Sequence, residues 1–302
     1  MSEASSDTTL LEPSTTPPVP SSEEHWDLII TPRKSLLDLN LREVWRYRDL
    51  MLLFVRRDFV AQYKQTILGP IWHFIQPIFT TIMFLLVFGT IANIPTDGIP
   101  PILFYLSGIT IWNYFSTCLT ATSNTFVANA GIFGKVYFPR LVIPLSIVIS
   151  NLVRFGIQFL LYIGIMLVLA ARGGTLYLGW GWLLIPVLVV LMAGLGLGMG
   201  IILSSLTTKY RDLTVLITFG VQLLMYATPI AYPLSVIASK SYGWIVQWNP
   251  LTPITELFRF ALFGQGTFTT ASLLYSTGFI VVILLIGMIL FSRVERTFMD
   301  TV

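Results

Sequence analysis

The chain is short of charge and nearly without cysteine, and each shortage excludes something. Only 11% of its 302 residues are Asp, Glu, Lys or Arg, while 55% are hydrophobic. Soluble domains average roughly 25% charged residues. A mean hydropathy of +0.77 places the chain with membrane proteins. Its single cysteine, Cys118, excludes an intrachain disulfide and a multi-cysteine metal site, and says little about compartment. His25 and His73 stand alone, with no acidic or cysteine partner at ligand spacing, so no metal is expected. No Ser/His/Asp set or pair of catalytic carboxylates stands where catalysis would be credible. No G-x-x-x-x-G-K-[ST] occurs either. Gly131-Ile-Phe-Gly-Lys has too short a spacing and no Ser or Thr after the lysine, so the chain has no P-loop. The expectation is a non-enzymatic chain with no cofactor of its own. No secretory signal is visible. Residues 1–30 are polar and acidic, with a Ser/Thr/Pro stretch from Glu12 to Ser22, and are expected to be a disordered cytoplasmic tail. That tail is either merely tolerated or a docking segment.

What is abundant is long apolar sequence. A spanning helix needs about 20 mostly apolar residues. Six runs qualify, near 71–92, 101–121, 142–170, 182–206, 213–234 and 273–292. The third is long enough to tilt. None alternates as the strands of a membrane barrel do. The loops orient the spans. Arg33, Lys34, Arg42, Arg46, Arg48, Arg56, Arg57 and Lys64 precede the first run. Lys135, Arg140, Lys209, Arg211, Arg293 and Arg296 fall on the same side if there are six spans. The other side holds Arg172, Lys240 and Arg259. The positive-inside rule therefore puts both termini in the cytoplasm. The expected fold is an all-α polytopic membrane protein of six transmembrane helices.

Ahead of the first span, residues 31–70 form a basic, amphipathic region. A helix over 36–66 can turn Val44, Trp45, Leu52, Phe59 and Tyr63 to lipid and Arg42, Arg46, Arg56, Arg57 and Lys64 to headgroups. It serves as an anchor, as part of a docking surface for a cytoplasmic partner, or as both. Within 71–302, the segment 228–272 is too apolar for an exposed loop and too broken by proline for a seventh span. Two short re-entrant helices dipping into the outer leaflet fit it, and such backbone survives at membrane depth only when packed in protein or lining a water-filled path. The segment is therefore a candidate outer mouth.

Arg154 lies ten residues past Pro144, about 15 Å along a helix and so near mid-membrane. A cation there is costly and faces a cavity or a partner. Asn151, Arg154, Gln158 and Tyr162 share one helical face. They either line a hydrophilic conduit or form an interhelical seam. Trp112, Tyr114 and Tyr226 belong to the aromatics crowding the outer ends, which form an interfacial belt or meet sugar rings along the conduit. At the outer mouth stand Trp248 and the pair Glu256 and Arg259. The pair's spacing of three residues suits an ion pair and also a gate. The Gly194-Leu-Gly-Leu-Gly-Met-Gly run sits inside a span with no preceding strand. Gly194/Gly198 and Gly196/Gly200 are small-xxx-small pairs, expected to let helices approach closely.

Three blocks carry a resemblance. Arg56-Arg-Asp-Phe-Val-Ala-Gln-Tyr-Lys-Gln-Thr-Ile-Leu-Gly-Pro-Ile-Trp-His-Phe-Ile-Gln-Pro, Lys135-Val-Tyr-Phe-Pro-Arg-Leu-Val-Ile-Pro and Trp248-Asn-Pro-Leu-Thr-Pro-Ile-Thr-Glu-Leu-Phe-Arg resemble, in order, the signatures of type-2 ABC exporter permeases for bacterial polysaccharides. That group moves O-antigen, capsule and teichoic acid. The likeness covers about residues 36–300. It implies a homodimeric permease in the plasma (inner) membrane, paired with two separately encoded ABC ATPase subunits that hold ATP and Mg. It also implies a gate helix before the first span, with ATPase coupling through Arg42, Arg46, Arg56, Arg57, Lys64, Lys209, Tyr210 and Arg211. The implied cargo is an undecaprenyl-linked polysaccharide. Membrane lipids surround the chain, and no nucleic-acid partner is implied. The rival readings are a type-2 exporter of a small molecule or lipid, a polytopic lipid-linked sugar transferase, and a structural membrane anchor.

Overall fold

The computed structural model describes residues 41–64, 66–174, 177–210 and 212–297, without the side chains of 41 and 295–297. The 1–30 tail, Arg33, Lys34 and Arg211 lie outside the described residues, as does the side chain of Arg296. Every regular element among the described residues is helical. They are α1 (Leu41–Arg46), α2 (Arg48–Tyr63), α3 (Trp72–Phe84), α4 (Pro101–Ser123), α5 (Thr125–Phe133), α6 (Val142–Ala171), α7 (Ile185–Thr207), α8 (Leu213–Tyr226), α9 (Leu234–Ala238), α10 (Gly243–Gln247), α11 (Leu251–Phe263) and α12 (Thr270–Thr297).

Local sequence explains the boundaries. The Leu68-Gly-Pro junction forms a 3-10 turn over Gly69–Ile71, with Gly69 at φ +50° and proline at its start. Only glycine takes that φ freely. A π-wound stretch, Leu85–Ile91, extends α3. The return to α4 is made by Asn93, Asp97 and Gly98 at φ 48°, 50° and 80°, a conformation that Asn, Asp and Gly tolerate best. Among the described residues, five helical stretches are long and apolar enough to cross a membrane: Gly69–Ile91, Pro101–Ser123, Val142–Ala171, Trp180–Thr207 and Thr270–Val294. The chain is a multi-pass membrane protein.

Two expectations change. The run at 213–234 is helical only over the 14 residues of α8, about 21 Å at 1.5 Å per residue. Pro229 stops it, because proline disfavours helical backbone in the residue before it. The helix expected over 36–66 is also interrupted, between α1 and α2 at Tyr47. The buried stripe continues through it, with Val44, Tyr47, Met51 and Phe54 spaced three and four residues apart. Trp45 and Leu52 stay exposed as expected, but Val44 is buried with Phe54, Phe133 and Phe138 in a satellite core.

α4 is the central helix, flanked by α6, α7, α3 and α8. The glycine run sets the packing beside it. A Cβ on Gly196 would stand 2.9 Å from the Cβ of Cys118, and one on Gly200 would stand 2.6 Å from that of Thr122, both on α4. Gly194 and Gly198 instead face Ile280, Ile283 and Leu284 on α12. The two small-residue pairs thus admit two neighbours on opposite sides of one helix. Contact order gives direction. Residues 196 and 200 meet 118 and 122, while 194 and 198 meet 280 and 284, so α4, α7 and α12 run parallel. On α6, Phe155 packs at a tilt against Tyr114 and Asn151 sits by Cys118, so α6 runs against them. On α8 and the turn after it, Thr214 bonds Asn124 and Ile230 touches Gly108, again antiparallel to α4.

Candidate functional site

The 228–272 segment is closely built. Asn249 organises it. Its Oδ1 accepts from the Leu251 N–H (3.0 Å), capping α11, and its Nδ2 donates to the Ala227 carbonyl (2.9 Å) and Thr228 Oγ1 (3.0 Å). Gly264, at φ 70°, closes the far end. Between them Leu251 to Arg259 are all buried. A helix covered on every side belongs to a protein interior.

Within that helix Glu256 and Arg259 form an ion pair at 3.0 Å with each side chain 2% exposed. Arg259 Nη2 donates to the Ile230 carbonyl (2.9 Å), and its guanidinium lies 3.9 Å from the Phe104 ring centroid. Glu256 accepts from the Leu234 N–H (3.4 Å), the Thr267 N–H (3.1 Å) and Thr267 Oγ1 (3.4 Å). One buried pair therefore ties α11 to the 230–234 turn, the 267 loop and the first turn of α4. Hydrogen bonds on both ions are what make such burial tolerable. Since Arg259 reaches Phe104 and Ile230 meets Gly108, this segment sits level with the first two turns of α4. Trp248 remains 65% exposed beside it.

The stripe on α6 is brought together, and it faces inward. Asn151, Gln158 and Tyr162 are buried within the chain. Gln158 Oε1 accepts from Asn113 Nδ2 of α4 (3.3 Å), and Arg154 Nη1 donates to Asn151 Oδ1 (2.9 Å). Trp112 and Tyr114 are buried in the same core, whereas Tyr226 is 57% exposed. In this conformation Asn151 and Gln158 form a polar seam between α4 and α6.

Arg154 is half-buried and turns toward the junction of the interfacial helix with the first span. There the Tyr63 hydroxyl is hydrogen-bonded to His73 Nε2, and Arg154 is close enough for its charge to act on both rings. Burial raises the Tyr63 pKa, and Arg154 opposes that shift. His73 is therefore not isolated, as its sequence neighbours suggest, but ties α2 to α3.

On the side bearing the basic loops, Arg42, Arg46, Arg56, Arg57, Lys64, Lys209 and Tyr210 are exposed. Arg57 bonds Asp58 (2.8 Å) and covers the Phe54 ring (4.7 Å), and Lys209 Nζ lies 5.3 Å from the Tyr210 ring centroid. The capping role of Asn249 and the Tyr63–His73 contact escape sequence reading. Only Asn249, an Asn before an apolar helix, carried a recognisable signal, that of an N-terminal cap.

These elements coincide with a shared pattern. Residues 49–263 match the family described as ABC-2 type transporter. The chain belongs to that family. An O-antigen export system permease protein RfbA of Klebsiella pneumoniae is 31% identical over 255 residues, spanning 83% of this chain and 94% of the relative. A protein of the same description from Myxococcus xanthus is 28% identical over 246 residues, 81% of this chain and 92% of the relative. The polysialic acid transport protein KpsM of Escherichia coli is 26% identical over 252 residues, with 81% and 93% covered. The family makes this chain a transport subunit rather than an enzyme.

Proposed function

We propose that the chain is the permease subunit of an ABC transporter that exports a lipid-linked, O-antigen-like polysaccharide across the plasma (inner) membrane. The observation that carries this is the likeness to O-antigen export permeases along four-fifths of the chain. The physical problem fits the parts. A hydroxylated polymer loses water on entering a hydrocarbon layer of about 30 Å, so its polar groups need protein partners. In the working unit two copies of this chain pair with two ATPase subunits, which bind ATP and Mg. The glycan, on an undecaprenyl carrier, enters from the inner leaflet beside α2. The exposed basic residues of α1, α2 and the 207–212 loop receive the ATPase stroke.

Six crossings with both termini cytoplasmic remain the topology we favour. The parallel run of α4, α7 and α12 against α6 and α8 supports it. So does α11, which stands level with the first turns of α4. In this scheme the α4–α6 seam opens toward the conduit, exposing Asn151, Arg154, Gln158 and Tyr162 along with Trp112, Tyr114 and Tyr226, while Trp248, Glu256 and Arg259 border the outer mouth.

The transferase reading meets a geometric obstacle. Asp97 precedes α4. Asp212 follows Thr207, whose hydroxyl bonds the Ser123 carbonyl at the other end of α4. The 23 residues of α4 separate the two carboxylates by about 33 Å, too far to share one reacting centre. Depletion of the chain, with mass spectrometry of lipid-linked glycans and assay of surface polysaccharide, tests the proposal. Accumulation inside with loss outside supports it. Unchanged glycans on both sides sink it and bring the small-molecule exporter forward.

A further inference from the structure

We propose that the cavity at the outer end of α12 is a subsite for an uncharged, hydroxyl-rich stretch of the exported glycan. The proposal rests on the export reading and adds to it the chemistry of what is held. The cavity measures about 800 Å³ and opens between α10, the start of α11, the loop after α11 and the first turns of α12. That volume lies within the range of small-molecule sites.

Its walls combine two surfaces. One is aromatic. Trp248 and Tyr275 both line it, with ring centroids 5.6 Å apart at 88°, and the Tyr275 hydroxyl holds the Trp248 carbonyl at 3.0 Å. The electron-rich faces of such rings suit the C–H faces of a sugar.

The other surface is polar. Thr252 Oγ1 donates to the Val246 carbonyl (2.6 Å), Ser272 Oγ to the Thr269 carbonyl (2.7 Å), and Thr267 Oγ1 to Glu256 Oε2 (3.4 Å). Gln247 Nε2 donates one N–H to the Ala238 carbonyl (3.3 Å) and keeps a second. Thr269 Oγ1 accepts from the Ser272 N–H (3.1 Å) and keeps its proton. The wall therefore offers an occupant both acceptors and donors. The matching occupant does both, as sugar hydroxyls do. A phosphate or carboxylate finds no cation to offset its charge. Among the described residues no Lys, Arg or His lines the cavity, and Glu256 stands directly behind Thr267. The chemistry thus selects a neutral glycan over an anionic headgroup.

The test places a cysteine at Ala271, which lines the cavity, in the full chain held in phosphatidylcholine nanodiscs. Cys118 is fully buried and stays silent. Maleimide labelling of Ala271→Cys is timed with maltotriose, with mannotriose and with a sialic acid trimer. At least one neutral trisaccharide is expected to slow labelling, and the anionic trimer to leave it unchanged. Adding Trp248→Ala should weaken that protection about five- to tenfold, the scale of one lost aromatic contact, while Trp248→Tyr retains most of it. Several results overturn the proposal: no protection by either neutral sugar, equal protection by the anionic trimer, protection by phosphatidylethanolamine alone, or protection that tracks protein density and so marks a second copy. The parent reading fails separately, if depletion of the chain leaves surface polysaccharide intact.

Discussion

Replacing Arg259 with methionine removes one guanidinium and disturbs four segments at once. Glu256 keeps its charge in a site where its side chain is 2% exposed, and it loses its only ionic partner among the described residues. The Ile230 carbonyl loses its donor, and Phe104 loses the cation above its ring. Breaking a buried pair from one side costs about 3–5 kcal/mol, because the abandoned charge stays desolvated. At about 1.4 kcal/mol per factor of ten, the unfolded population rises roughly 10²-fold or more. The chain carries its own reporter. Cys118 is wholly buried in the α4 core and reacts with maleimide only when that core opens. Unfolding in mixed micelles of rising SDS content, followed by Cys118 labelling, should therefore show a marked loss of stability for Arg259→Met. Glu256→Leu should be similarly harmful. The double variant Glu256→Leu/Arg259→Met should cost less than the sum, with a coupling of at least about 1 kcal/mol, as contacting residues show. If Arg259→Met matched the parent chain, or the two costs simply added, the staple would not be what holds the outer segment.

The same labelling assay serves three further expectations. Gly200→Ala forces a Cβ to 2.6 Å from that of Thr122 and should cost about 1–3 kcal/mol as overpacking, whereas Gly164→Ala, with open space around it, should be neutral or stabilising by up to about 1 kcal/mol. Asn249→Ala removes the cap of α11 together with its bonds to Ala227 and Thr228 and should lose about 1–2 kcal/mol. Tyr63→Phe removes the hydroxyl that meets His73 and should cost about 1 kcal/mol. Following it with His73→Phe should add little, and full additivity in that pair would show that the two rings act independently.

Much of this architecture was legible in residue order because the bilayer permits few solutions. The apolar runs named the helices. The glycine spacing announced close approach, and the structure divides it between α4 and α12 as two separate pairs. What failed did so for local reasons. Val44 was assigned to lipid, but it falls on the stripe Val44, Tyr47, Met51 and Phe54, spaced three and four residues apart, which packs into the satellite core. The fifth run was long enough in composition, yet Pro229 limits the helix to α8. A helical period shows that Asn151, Arg154, Gln158 and Tyr162 share a face, and it cannot show what that face meets. Tertiary packing turns Asn151 and Gln158 toward α4, Arg154 toward Tyr63 and His73, and Tyr162 toward Phe263 of α11. Spacing likewise predicted the Glu256–Arg259 contact, whereas its depth depends on Phe104, Ile230 and Thr267, which come from three other parts of the chain.

The central claim is vectorial movement of a polymer by this chain with an ATPase partner. It is tested most directly in proteoliposomes holding both subunits, loaded with lipid-linked glycan whose exposure on the far side is read by an impermeant glycosidase. The account predicts that exposure requires ATP and this chain, and stops when the ATPase is inhibited. Exposure that proceeds without ATP, or ATP hydrolysis that never moves the glycan, would contradict it.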